Sequence, residues 1–169
     1  KDDQVGGRLP QSRLQLPLNV RAVHVGDLGN HEADNPCYPE LREGLEEAGI
    51  TVLENESVQL WYRGARVNII GLLDLAFHPQ GRTAAREELP GLVQDLLVPG
   101  ALNVVLSHRP SLMEEYEESG ADLVFSGHAH GGQVRMPLIG PLFAPDEGAL
   151  PDYTAGTYLA GETWVVVSR

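Results

Sequence analysis

Leu102-Asn103-Val104-Val105-Leu106-Ser107-His108 is the stretch whose reading decides the fold. A short apolar run that ends in serine and histidine reads as a buried strand with polar groups at its C-terminal end. The pattern recurs at Leu123-Val124-Phe125, which runs into Ser126-Gly127-His128-Ala129-His130. Upstream, Val20-Arg21-Ala22-Val23-His24-Val25 reads as a strand, broken at Gly26-Asp27 and followed by Gly29-Asn30-His31-Glu32. Such strands, separated by helical stretches, predict an α/β fold, and in such sheets ligands collect at the strand ends. Three strand ends thus supply Asn30 with His31, His108, and His128 with His130.

The rest of the chain fits around these strands. Spacing predicts a helix over Pro39 to Ala48, with Leu41, Leu45 and Ala48 on one face and Gly49 as its stop. Thr51 to Leu53, Ser57 to Tyr62 and Arg66 to Leu72 read as strands, with Arg63-Gly64 as a hairpin turn. Thr83 to Leu97 reads as a helix broken near Pro90-Gly91 and ended by Pro99-Gly100, and a further helix is expected from Pro110. Pro137 to Pro145 reads as an apolar, proline-rich loop, and Tyr158-Leu159 with Trp164 to Val167 as a last hairpin. The segment up to Gln15 reads as a loose arm or edge segment, and no internal repeat is present.

With 169 residues, 42% of them apolar and 21% charged, the chain fits a single core-forming domain, residues 1–169. The lone Cys37 excludes an internal disulfide framework and reads as an incidental thiol. A formal net charge of −12 argues against binding to a nucleic-acid backbone or a polybasic membrane anchor. It does not exclude phosphate substrates, because bound metal ions supply local positive charge. No apolar run reaches the length of a membrane span, and Lys1-Asp2-Asp3-Gln4 is no signal peptide. The expected location is the cell envelope or membrane surface if a targeting segment has been removed, and otherwise the cytoplasm.

Neutral imidazoles with carboxamide or carboxylate oxygens suit divalent ions such as Mn, Fe, Zn or Co. His128 and His130 would share a face in extended backbone, or straddle two metals in a tight loop. Gly127, Gly131 and Gly132 let the backbone bend closely around such a cluster.

Gly29-Asn30-His31-Glu32, Ser107-His108 and Gly127-His128-Ala129-His130, in that order, resemble the calcineurin-like metallophosphoesterase superfamily. The resemblance implies a four-layer α/β/β/α sandwich with two divalent metal ions, manganese first. Asn30, His108 and His128 would ligate the second metal and His130 the first, while His31 would protonate the leaving group or stabilise the transition state. The implied reaction is hydrolysis of a phosphodiester, phosphomonoester or pyrophosphate by metal-bound hydroxide. The run from Gly127 through Gly131-Gly132-Gln133-Val134-Arg135 to Leu142 is similar to a narrower branch. That branch holds bacterial envelope phosphodiesterases and UDP-2,3-diacylglucosamine pyrophosphatases. There the segment containing Gly132 borders the metal centre. Arg135 would pair with a substrate phosphate or form a surface salt bridge. The substrate would be a phosphorylated small molecule or a lipid-linked one, with possible peripheral membrane contact through Pro137 to Pro145.

The family also carries an Asp-x-His motif and a bridging Gly-Asp motif before Gly-Asn-His, and 28 residues are too few for both. The expected arrangement is therefore a domain incomplete in its N-terminal half and C-terminal tail. Residues 1–28 would be a remnant of the first strand and motif, joined at 28/29 to the C-terminal portion, by deletion or across an absent segment. Asp27 then aligns with the first-metal ligand, or with the bridging one, or is an ordinary turn aspartate. The alternative to an enzyme is a non-catalytic metal-binding or scaffold domain. His24 and His78 read as structural or exposed, Asp74 as a turn residue, and Trp61 and Trp164 as packing residues. The acidic run from Glu114 to Glu118 reads as a solvated helix face.

Overall fold

The computed structural model describes residues 14–15, 25–26, 29–33, 35–136, 140–144 and 146–169. In chain order these form β1 (Leu14–Gln15), β2 (Val25–Gly26), α1 (Asn30–Ala33), α2 (Tyr38–Glu47), β3 (Thr51–Val52), β4 (Glu56–Tyr62) and β5 (Ala65–Gly71). A 3-10 turn (Leu75–Phe77), α3 (Arg82–Leu96), β6 (Leu102–Leu106), α4 (Met113–Ser119) and β7 (Leu123–Ser126) follow. The chain continues with β8 (Val134–Met136), β9 (Gly140–Ala144), β10 (Gly148–Ala149), β11 (Gly156–Ala160) and β12 (Thr163–Val167).

The α/β expectation holds. A seven-stranded mixed sheet has the order β1-β4-β5-β6-β7-β12-β11. Its centre, β5, β6, β7 and β12, is parallel, so the four strands end on the same side. β2 pairs in parallel with β3, making a separate strand–helix–strand unit that carries α1 and α2. The β4–β5 hairpin turns at Arg63 and Gly64, with φ of 49° and 85°. Positive φ at both central positions matches the twist of the flanking strands.

One face of the sheet is buried under helices. Ile70, Val105, Val124, Val165 and Val167 pack with Ala85, Leu89 and Val93 of α3 and with Tyr116 of α4. On the other face the register aligns Val58, Ile69, Val104, Leu123 and Trp164 in one row. Leu102, Phe125, Leu159 and Trp164 on this face are exposed, so among the described residues it has only partial cover.

Several expectations are corrected. α3 passes through Pro90 without a break. A proline inside a helix costs about 3 kcal/mol, but buried Leu89 and Val93 on either side are each worth about 1.5–3 kcal/mol. α4 starts at Met113 rather than Pro110. Pro110 is buried, and the carbonyl of Arg109 accepts the Tyr116 hydroxyl, which holds this segment outside the helix. The apolar face of α2 contains no buried residue. Gly140 to Ala144 is a strand paired with β8 rather than loop, while residues 137–139 and 145 lie outside the described set. Trp61 and Trp164 are not packed inside: they are 62% and 53% exposed, Trp61 beside the hairpin tip and Trp164 on the open sheet face. The strand expected over Val20 to Val25 is described only at Val25, and Asp27, Leu28 and the proposed 28/29 join lie outside the described residues.

Candidate metal centre

The parallel strands deliver their polar residues side by side. β5 leads to Asp74, β6 to Ser107 and His108, and β7 to Gly127 and His128. The main chain of His108 is fixed from β7: its carbonyl accepts the Gly127 N–H at 3.2 Å and the Ser126 hydroxyl at 3.2 Å. Asn30, the first residue of α1, comes from the other sheet. Gly29 makes this approach possible, because a Cβ there would lie 2.6 Å from Cε1 of His108.

Three donor atoms meet. His108 Nε2 lies 3.0 Å from Asn30 Oδ1 and 2.9 Å from His128 Nδ1. One ring nitrogen carries at most one proton, so a single hydrogen cannot satisfy both contacts. With the His108 proton on Nδ1, all three atoms present lone pairs that one cation could accept at once. Two neighbouring donors about an octahedral divalent ion, each about 2.1 Å from it, are themselves about 3.0 Å apart. The donor spacing thus fits a metal ion. Burial lowers the pKa of His108. Burial, helped by His108 and Arg109, lowers that of His128 to about 4. Both rings are then neutral near pH 7, the state that ligates metal.

The loop after β7 is tight. His128 and His130 have φ of 57° and 51°, and Gly131 and Gly132 also have positive φ. Residues with side chains seldom adopt this conformation, and it marks a site held by its surroundings. The His128 and His130 rings stand 6.4 Å apart, against 4.6 Å for His108 and His128. His130 is therefore near the cluster but not part of the three-atom contact. Gly132 is buried, and a Cβ there would meet Pro141 at 2.5 Å. Arg135 is exposed and donates to the Gly131 carbonyl within its own loop. His31 is exposed on α1 beside Asn30. Among the described residues, no group of three or more His, Cys, Asp or Glu side chains could hold a metal ion. Asn30, His108 and His128 could therefore supply only part of a coordination shell.

Two residues went unrecognised in the sequence. Arg109 is almost fully buried and binds Asp74 through Nε and Nη2, at 2.7 and 2.8 Å. It also pairs with Asp146, whose Oδ2 lies 3.0 Å from His128 Nε2. That nitrogen is buried without a properly aligned hydrogen bond. Asp74 acts as the turn residue expected, accepting the Ala76 N–H at 2.9 Å, and it anchors Arg109 as well. Asp146 had no signal in sequence, since its partners lie 37 and 18 residues away. His78 pairs with Glu88 at 3.4 Å and plays no part here.

Comparison with known proteins gives relatives named as phosphodiesterase, metallophosphoesterase and pyrophosphatase. The chain is 34% identical over 163 residues to phosphodiesterase YaeI of Escherichia coli, covering 94% of this chain and 54% of the relative. It is 29% identical over 158 residues to the uncharacterized metallophosphoesterase YkuE of Bacillus subtilis, covering 93% of this chain and 50% of that protein. It is 34% identical over 110 residues to the UDP-2,3-diacylglucosamine pyrophosphatase LpxG of Chlamydia muridarum, covering 63% of this chain and 28% of the relative. The chain spans about half the length of the first two. No family model and no solved structure matches it.

Proposed function

We infer, from the premise that this chain is a homologue of metallophosphoesterases, that it hydrolyses phosphoric ester or pyrophosphate bonds with the help of divalent metal ions. The observation that carries this reading is that Asn30 Oδ1 and His128 Nδ1, from two other segments, lie 3.0 and 2.9 Å from His108 Nε2. Manganese suits this nitrogen and oxygen set, with Fe, Zn and Co as alternatives. Two ions are expected, with His130 on the first and Asp27 on the first or bridging both. When bound, such ions supply an activated water and positive charge for the phosphoryl oxygens.

The chain's own residues do the rest. Asn30, His108 and His128 hold an ion through neutral donors. His31, exposed next to Asn30, faces solvent and donates a proton to the leaving oxygen. Gly132 lets the loop pass close to the centre, and Arg135, on the same loop, pairs with a substrate phosphate. The open face of the seven-stranded sheet takes the second sheet of a four-layer sandwich. The substrate is a phosphodiester or pyrophosphate of the cell envelope, lipid-linked as the name of LpxG suggests, reached by peripheral contact through residues 137–145.

The test is manganese-stimulated hydrolysis of bis-p-nitrophenyl phosphate by the protein and by Asn30→Ala and His128→Ala. Loss of activity in both variants supports the reading, and full retention refutes it. A second reading, a non-catalytic metal-binding or scaffold domain, is favoured by the missing carboxylate ligands among the described residues. Two equivalents of tightly bound metal would favour the enzyme, and none the scaffold.

A further inference from the structure

A cavity of about 400 Å³ opens between β5, the 3-10 turn and α3. Its walls are mainly Leu72, Leu73, Leu75, Phe77, Leu89 and Leu92. Most of the polar groups along it are already engaged, while the Glu88 carboxylate is mostly exposed to solvent. Asp74 gives both oxygens to Arg109 and one also to the Ala76 N–H. Asn55 Oδ1 accepts the Leu73 N–H at 2.9 Å, and His78 is paired with Glu88 and accepts the Gln80 N–H. A polar guest would lose its water and gain few partners along the leucine-rich walls, which is unfavourable, while an apolar guest loses nothing. The volume lies in the range of small-ligand sites, about 300–1,000 Å³.

The cavity is tied to the donor cluster through one buried ion pair. Its wall residue Asp74 holds Arg109, which directly follows His108 in the chain. Arg109 in turn reaches Asp146, beside His128. We propose that this cavity takes a fatty acyl chain of the phosphoester substrate. At about 30 Å³ per methylene, close to the volume of a water molecule, 400 Å³ holds roughly a dozen methylenes. This rests on the phosphoesterase reading, and one relative is named for a diacylated sugar nucleotide.

The probe is cis-parinaric acid, a long-chain fatty acid that fluoresces in apolar surroundings, added to metal-free protein and displaced by tetradecanoate. Saturable binding is expected. It should weaken about tenfold or more in Leu73→Trp and in Ala85→Phe, which fill the cavity and displace about two buried methylenes. Leu73 is only half-buried, so its variant keeps the fold, as thermal melting would register. Phe125→Glu, on the open sheet face, should leave binding unchanged, and a loss there instead of in the cavity variants overturns the proposal. Dodecyl p-nitrophenyl phosphate should show a lower KM than the methyl ester, and Leu73→Trp should abolish that difference while kcat for the methyl ester holds. Hydrolysis of bis-p-nitrophenyl phosphate without fatty-acid binding overturns the cavity assignment alone. Fatty-acid binding without any hydrolysis overturns the phosphoesterase reading and sustains the cavity as an acyl site.

Discussion

Arg109 lays its guanidinium fork on Asp74, Nε to Oδ2 at 2.7 Å and Nη2 to Oδ1 at 2.8 Å, with both side chains almost wholly buried. The pair ties the end of β5 to the end of β6 directly behind His108. Burial alone would raise the pKa of Asp74. The hydrogen bonds from Arg109 and the Ala76 N–H, with the Arg109 charge, more than offset this and hold it below 3.8.

The sign of the pH dependence follows. A carboxyl whose folded pKa is depressed contributes stability above its unfolded value of 3.8, and loses it as pH falls through the folded pKa. Asp74→Asn leaves Arg109 buried with a weaker partner, and breaking a buried pair costs about 3–5 kcal/mol. Because Asp146 still pairs with Arg109, the lower end is expected. Urea unfolding of wild type and variant should therefore differ by about 3 kcal/mol at pH 7. The gap should close in strong acid. A gap constant with pH would show that the carboxylate charge is not what stabilises this pair.

Gly29 and Gly44 make opposite predictions for the same substitution. A Cβ at Gly29 would strike the His108 ring, whereas nothing lies within 4 Å of one at Gly44 in α2. Gly29→Ala should displace His108 and weaken manganese binding by about 10–100-fold, the usual effect of disturbing a ligand's support. Gly44→Ala should leave metal binding untouched and raise stability by about 0.5–1 kcal/mol. Calorimetric titration with manganese and thermal melting read the two effects.

His31 separates catalysis from metal binding. It neighbours Asn30 but is exposed and outside the three-atom contact. His31→Gln should keep the manganese affinity of the wild type and lower kcat on bis-p-nitrophenyl phosphate by about 10²–10⁴-fold. A matching loss of metal affinity would make it a ligand instead of a proton donor.

How far the sequence reached depends on the range of the interactions. Leu102 to Leu106, the Arg63-Gly64 turn and the last hairpin were legible because periodicity and turn chemistry act over a few residues. His108 and His128 were legible as strand-end residues, and the parallel pairing of β6 with β7 sets those ends side by side. Pro90 was misread because local propensity yielded to the burial of Leu89 and Val93. Arg109 and Asp146 were missed because only the tertiary fold brings Asp74, 35 residues from Arg109, and Asp146 against them. Trp164 was misjudged because alternation along a strand does not say which face another layer covers.

That open face yields the last prediction. Leu102, Phe125, Leu159 and Trp164 expose large apolar surface on one side of the sheet. Contiguous exposed apolar patches mark interaction surfaces or aggregation sites. If another layer normally covers this face, the 169-residue chain by itself should associate and bind the dye ANS. Phe125 and Trp164 sit on neighbouring parallel strands, β7 and β12, with side chains on this same face. Charges there do not touch the helix-covered core. Phe125→Glu with Trp164→Glu should therefore shift sedimentation to the monomer and reduce ANS fluorescence, leaving the far-ultraviolet circular dichroism unchanged. A wild-type chain that is already monomeric and dark to ANS would show that the described residues' open face is covered within the chain itself, and would remove the case for a second sheet docking there.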